Sequence, residues 1–126
     1  MEKQIINSEN APKAIGPYSH AVLAGNTLYV SGQVPLNPIT GDLEMDTIQT
    51  QTHQCLKNVK SILAEAGMTL ANVVKATVFI TDMGDFAAIN AVYGEYFTEN
   101  FPARECVQVA ALPRGVNVEI SVIAVK

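Results

Sequence analysis

A run of β-branched and apolar residues from 73 to 81 constrains the fold more than any other segment of the chain. It reads Val-Val-Lys-Ala-Thr-Val-Phe-Ile-Thr, with apolar residues at both odd and even positions. Because alternate side chains of a strand point to opposite faces of a sheet, this pattern predicts a strand that is covered on both faces. We therefore expect this segment in the interior of a sheet.

Two helical patterns flank this strand. The first begins near Asp46, which can cap a helix together with Gln49, and it ends at Gly67. Its apolar residues share one face of a helix: Ile48, Cys55, Leu56, Val59, Ile62, Leu63 and Ala66. The second starts at Asp82 or Asp85 and stops before Pro102, which cannot continue a helix.

The remaining strand patterns complete the fold prediction. A hairpin is expected over residues 21–31, with its turn at 25–26. The last two strands, one containing Arg104 and one containing Glu119, are expected to form a hairpin around 113–115. Whether a short strand near residues 4–6 precedes these strands is left open. The order β-β-α-β-α-β-β predicts an α+β fold with a single mixed β-sheet and two helices packed on one face, in one domain spanning residues 1–126.

Period-two alternation assigns side chains to the two faces of this sheet. The side under the helices is expected to carry Leu28, Val30, Val74, Ala76, Val78, Ile80, Val107, Val109, Val118, Ile120 and Val122. The other side is expected to carry Tyr29, Ser31, Thr77, Phe79, Arg104, Cys106, Gln108, Ala110, Asn117, Glu119, Ser121 and Ile123. This second set mixes small, polar and aromatic residues, which is typical of an interface between subunits.

Composition restricts the partners. The chain has 126 residues, 48% hydrophobic and only 16% charged, which favours an oligomer that hides apolar surface. Eight Lys and Arg residues and a net charge of −4 disfavour nucleic acid as a partner. No run approaches the roughly 20 apolar residues of a membrane span. With two cysteines and no signal-peptide pattern, we expect a cytoplasmic protein that neither crosses nor binds a membrane.

Arg104 and Glu119 are the residues that most invite a functional interpretation. Arg104 is one of two arginines and begins a strand-like run, whereas Glu119 interrupts a β-branched run in which an unpaired carboxylate would be costly. A structural ion pair or two solvated side chains would also explain them. A simple hairpin register pairs Glu119 with Val109, which leaves it roughly 17 Å along the ladder from Arg104. A shared pocket would then need a shifted register or two subunits.

Several motifs resemble those of a known family. They are residues 10–19 (Asn-Ala-Pro-Lys-Ala-Ile-Gly-Pro-Tyr-Ser), 31–35 (Ser-Gly-Gln-Val-Pro), Pro-Ala-Arg-x-Cys-Val from 102, Leu-Pro at 112–113 and Val-Glu-Ile at 118–120. Together they are similar to the Rid/YjgF family, which includes the reactive-intermediate deaminases called RidA. The resemblance runs from about Asn10 to Val125. One departure is Glu105, where the family usually has a small residue; on a strand it would point away from Arg104.

The resemblance implies a chorismate-mutase-like (YjgF) fold and a homotrimer with sites between subunits. It implies hydrolysis of 2-iminopropanoate and 2-iminobutanoate to 2-oxo acids and ammonia, without a cofactor. Arg104 would bind the substrate carboxylate, and Glu119 would position and deprotonate a water. Tyr18, Ser31, Gly32, Asn90 and Cys106 match positions of the family's substrate pocket, Cys106 through its backbone N–H.

Plainer interpretations stay open for these pocket residues. Turn chemistry explains Tyr18 and Gly32, a hydrogen bond to a neighbouring loop explains Asn90, and simple packing explains Cys106. Two isolated histidines form no metal-ligand set, so no metal is expected. Two alternative functions are a non-catalytic metabolite- or partner-binding trimer and a ribonuclease. The acidic charge balance disfavours the ribonuclease.

Overall fold

The computed structural model describes residues 2–126, which form six strands and two α-helices. The elements are β1 (Lys3–Ile6), β2 (Ala21–Ala24), β3 (Thr27–Gln33), α1 (Ile48–Glu65), β4 (Val73–Ile80), α2 (Phe86–Tyr96), β5 (Ala103–Gln108) and β6 (Val118–Val125). The strands make one mixed sheet in the order β1-β2-β3-β6-β4-β5, with the two helices packed side by side on it. The α+β prediction is confirmed, while the homotrimer stays a prediction. No helix within residues 2–126 is long and apolar enough to cross a membrane.

Local signals account for the helix ends. The cap of α1 is Thr47, one residue after the expected Asp46, and its hydroxyl accepts a hydrogen bond from Thr50 N at 3.0 Å. Gly67, with φ of 72°, ends the helix as predicted, because a left-handed residue there lets Met68 N reach Leu63 O. Asp82 caps a short 3₁₀ turn that leads into α2.

The expected hairpin between the last two strands is wrong. β5 pairs in parallel with β4, whereas β6 lies antiparallel between β3 and β4. The reason is the helix between β4 and β5. A strand–helix–strand unit returns the chain in the same direction, so its second strand docks in parallel beside the first. The segment that follows β5 then crosses the end of β4 and places β6 on the other side.

The parallel pairing also corrects the face predicted for β5. Arg104 pairs with Ala76 and Cys106 with Val78, which turns both side chains toward the helices. Val107, expected under the helices, is instead 43% exposed on the opposite face. Gln108, expected on the uncovered face, lies on the helix side for the same reason. Two other expectations fail for separate reasons: Val74 is exposed beside a register shift, and Ala110 lies beyond the end of β5.

The core lies between the helices and the sheet. Its largest fully buried side chains are Leu28, Leu56, Ile62, Leu63, Ile80 and Ile120. In β6, buried residues alternate strictly with half-buried ones, so Glu119 belongs to the face that the helices leave uncovered. That face includes Tyr29, which is 51% exposed in the single chain.

Candidate active site

Glu119 lies in a cavity of about 760 Å³ on the uncovered face of the sheet. Three of the residues predicted for the pocket, Tyr18, Ser31 and Gly32, line this cavity with it. The walls come from the loop before β2, the end of β3 and the turn before β6. Segments that are distant in sequence therefore meet here because β3 and β6 are neighbours in the sheet.

A bulge in β3 brings Gly32 against the Glu119 carboxylate. The register between β3 and β6 shifts between Val30 and Gln33, which leaves Ser31 and Gly32 without regular partners. A Cβ at position 32 would lie 1.9 Å from Glu119 Oε1 and 2.7 Å from its Cδ. Only glycine leaves room for the carboxylate in this position.

The electrostatic setting of Glu119 keeps its carboxylate basic. Burial raises the pKa of Glu119 above its usual range, and no hydrogen bond or nearby cation among residues 2–126 offsets this effect. A half-buried carboxylate without partners binds a proton more readily than an exposed one. This is the property required of a general base near neutral pH.

A buried histidine holds the loop that carries Tyr18. His20 is 3% exposed; its Nδ1 accepts a hydrogen bond from Ser8 N at 3.0 Å, and its Nε2 contacts the carbonyl oxygen of Pro12. Because Nδ1 accepts, Nε2 carries the proton and donates it to Pro12 O. The backbone N–H of His20 also donates to Asn7 Oδ1 at 3.0 Å. These three contacts of His20 therefore hold the loop over the cavity in place.

Ser31 closes the base of the same loop. Its hydroxyl donates to Ser19 O at 2.6 Å, and its backbone N–H donates to His20 O at 2.9 Å. With its proton used in this way, the hydroxyl oxygen is left as a hydrogen-bond acceptor facing the cavity.

Arg104 lies away from the Glu119 cavity, on the edge strand β5 and against α2. Its Nη1 donates to Asn90 Oδ1 at 2.7 Å. The guanidinium carbon stands 4.7 Å from the centre of the Tyr93 ring and 5.6 Å from that of Phe86. These contacts fix the plane of the guanidinium at the wall of a second cavity of about 450 Å³. The Asn90 side chain, for which a hydrogen bond to a neighbouring loop was the plainer interpretation, accepts instead from Arg104 on β5.

Cys106 has the properties of a packed thiol. Burial raises the pKa of Cys106 above its usual range, although the Arg104 charge partly lowers it, so the thiol stays protonated at neutral pH. Its backbone offers a different group. Val109 N donates to Ile80 O at 2.8 Å, and alternation along a parallel ladder then turns the N–H of Cys106 away from β4 at the free edge of the sheet.

The predicted residues therefore form two groups that do not meet within one chain. Glu119 pairs with Phe79 and Arg104 with Ala76, and these two positions of β4 point to opposite faces. Two strand spacings and three residues along the sheet separate their Cα atoms by roughly 14 Å. Glu105 lies on the face opposite Arg104, as expected, where its carboxylate pairs with Lys75 at 2.8 Å.

Sequence reasoning missed two supports of the site. The first is the pair Phe86 and Tyr93, which lie four residues before and three after the predicted Asn90 on one face of a helix, and this spacing could have identified them. The second support is buried Gln51, which exchanges two 3.0 Å hydrogen bonds with Asn117 and so holds the start of β6 near Glu119. No local sequence pattern predicts that Gln51 and Asn117 contact each other.

Comparison with known proteins assigns the family. Residues 8–126 match the family model described as Endoribonuclease L-PSP. A RutC family protein of Pyrococcus horikoshii is 52% identical over 98% of both chains. The 2-iminobutanoate/2-iminopropanoate deaminase of Escherichia coli is 50% identical over 96% of both chains. The crystal structure of Escherichia coli TdcF with bound serine superposes with a TM-score of 0.94 at 46% identity, covering 98% of both chains. The chain belongs to the Rid/YjgF family.

Proposed function

We propose that this protein hydrolyses small 2-imino acids, such as 2-iminopropanoate and 2-iminobutanoate, to 2-oxo acids and ammonia. The observation that carries the proposal is the Glu119 carboxylate, which faces a cavity, has a raised pKa and is kept clear by Gly32. The 50% identical Escherichia coli relative, whose name states this activity, supports the choice of reaction.

Arg104 serves as the carboxylate anchor. Asn90 occupies one of its nitrogen atoms, which leaves other N–H groups to donate two parallel hydrogen bonds to a carboxylate. Such charge-assisted bonds contribute roughly 1.5–3 kcal/mol, enough to orient a very small substrate. The outward N–H of Cys106, two residues along the same strand edge, supplies a further donor.

Glu119 serves as the general base. It takes a proton from a water molecule as the oxygen attacks the iminium carbon, and the C=N π electrons move to nitrogen to give a carbinolamine. Glu119 returns this proton to the nitrogen and then accepts the hydroxyl proton as the C–N bond breaks, the carbonyl forms and ammonia leaves; the proton left on Glu119 passes to ammonia or solvent. The iminium carbon is already electrophilic, so this sequence requires no cofactor.

The complete site forms between two copies of the chain. Glu119 and Arg104 lie on opposite faces of the sheet, so no small substrate can touch both within one chain. A homotrimer in which the edge strand β5 of one copy meets the Glu119 cavity of the next joins them three times by symmetry. The exposed Tyr29 and Val107 of the uncovered face are then covered as well.

A second candidate is a metabolite-binding protein without turnover. It is favoured by the crystal structure of Escherichia coli TdcF with bound serine, an amino acid with the same carboxylate and a neighbouring nitrogen. The same two residues would hold such a ligand, and only the chemical step distinguishes the two functions.

The assay for the proposal measures ammonia release from 2-iminobutanoate that is generated freshly by a PLP-dependent threonine dehydratase. Acceleration over the spontaneous rate supports the deaminase. Binding of serine with no acceleration would support the second candidate instead.

A further inference from the structure

The cavity around Glu119 carries two cationic side chains that the proposed hydrolysis does not use. Lys13 on the loop before β2 and Arg114 on the turn before β6 both line it. Within residues 2–126 neither forms an ion pair with a carboxylate. The chain as a whole has a net charge of −4, so this positive edge opposes the overall charge.

Arg114 occupies a backbone conformation that its own side chain disfavours. Its φ of 60° and ψ of 20° are left-handed, and Gly115 follows with φ of 72°. Glycine would adopt this conformation without the steric penalty of a Cβ. A residue other than glycine in such a conformation is a candidate for a functional role.

The two cations line the same cavity as the carboxylate but come from other segments, the loop before β2 and the turn before β6. Burial is the one cause of the raised Glu119 pKa, and neither Lys13 nor Arg114 contributes to that shift. The whole cavity, of about 760 Å³, far exceeds the needs of a three- or four-carbon imino acid. Apolar wall residues, including Ile15 and Val34, suit a short methylene chain in that space.

We propose that Arg114 and Lys13 bind the distal carboxylate of a dicarboxylic 2-imino acid. The favoured substrates are then imines of the glutamate type rather than those with short apolar side chains. This inference rests on the proposed function, which puts the imine carbon beside Glu119 and the other carboxylate on Arg104 of a second copy. A guanidinium binds the distal carboxylate through two parallel bonds, and the lysine adds a point charge.

The test measures binding of the stable products to the full-length protein by calorimetry, since binding requires no turnover. We expect 2-oxoglutarate to bind at least tenfold more tightly than 2-oxobutanoate. Arg114→Gly, which suits a φ of 60°, should reduce that ratio to near one. Arg114→Lys should retain part of it. Lys57→Ala removes a cation from a separate groove beside α1 and should leave the ratio unchanged.

Three results would overturn the inference: equal binding of the two acids, equal weakening of both in Arg114→Gly, or dissociation of the assembly in that variant. The second would mean general attraction of anions, and the third would mean a contact between copies. Relative kcat/KM for imines generated by an amino acid oxidase from glutamate and from 2-aminobutyrate separates the two proposals. Turnover without preference for the glutamate imine refutes this inference alone. Selective 2-oxoglutarate binding without any turnover refutes the deaminase alone.

Discussion

The two halves of the candidate site treat their charged groups in opposite ways. Arg104 is exposed in the single chain but contacts a hydrogen-bond acceptor and two aromatic rings, which fix its orientation. Among residues 2–126, Glu119 has no such partner, and burial raises its pKa. An anchor needs a fixed direction, whereas a base needs a free lone pair. The difference fits the roles proposed for them, with Arg104 as the anchor and Glu119 as the base.

The two halves also differ in how they are assembled along the chain. The Arg104 half comes from one continuous strand–helix–strand unit, β4-α2-β5. The Glu119 half combines the loop before β2, the bulge in β3 and the start of β6, and it depends on His20 and Gln51 for its shape. Substitutions in the second half should therefore disturb chemistry more than anchoring.

Glu119→Gln should have the largest effect. It removes the general base while preserving size, and we expect kcat to fall by about 10²- to 10⁴-fold. Steady-state ammonia release measures this. Glu105→Gln, a carboxylate on the same strand as Arg104 but on the opposite face, is the matched control and should stay active. Retention of more than a tenth of the activity in Glu119→Gln would remove Glu119 from the mechanism.

Arg104→Lys should have the second-largest effect. A point charge cannot reproduce the two parallel bonds, so kcat/KM should fall about 10- to 100-fold, mainly through KM. Light scattering should report an unchanged assembly. Near-normal KM in a folded variant would contradict the anchor assignment.

The pH dependence of activity tests whether the pKa of Glu119 is raised. Because the folded pKa of Glu119 is raised, the acid limb of kcat/KM should lie above the ~4.3 of an ordinary glutamate. The same shift favours the protonated form in the folded state, so its stabilising contribution is full below the unfolded pKa and is lost as pH rises through the folded pKa. Glu119→Gln should therefore melt at a higher temperature than the wild type at pH 7. An acid limb at or below the ordinary value would refute the raised pKa.

Tyr93→Phe should have the smallest effect. The Tyr93 hydroxyl is buried and has no hydrogen-bond partner within residues 2–126. Removing it should stabilise the protein by ~1 kcal/mol and keep activity within about threefold, because the ring beneath Arg104 remains. Tyr93→Leu, which removes the ring, should raise KM more than Tyr93→Phe does. Thermal denaturation and KM measurements test the pair, and equal KM values would discount the aromatic support.

Local sequence patterns predicted the helices and strands well, but they predicted less well which strands pair with each other. The apolar run of β4, the face of α1 and the glycine that ends it are set by residues within a few positions of one another. The partner of β5 depends on the connection through α2, and the assumed hairpin reversed the face of Arg104. Applying the strand–helix–strand rule would have avoided that error.

The site was recognisable from its residues but not in its geometry. Arg104 and Glu119 were singled out because charge is unusual in such strands, and the motifs around them are local. The roles of His20 and Gln51 depend on partners 12 and 66 residues away, respectively, which single-sequence reasoning cannot pair. The cavity edge formed by Lys13 and Arg114 was missed for the same reason.

The most direct test of the central claim, a site shared between copies, is complementation between two inactive variants. Arg104→Ala and Glu119→Gln chains are denatured together in equal amounts and refolded as a mixture, with each variant refolded alone as the control. If each site takes Arg104 from one copy and Glu119 from its neighbour, random mixing restores about a quarter of wild-type activity. If both residues act within one chain, no intact site can form, and the mixture will remain as inactive as its components.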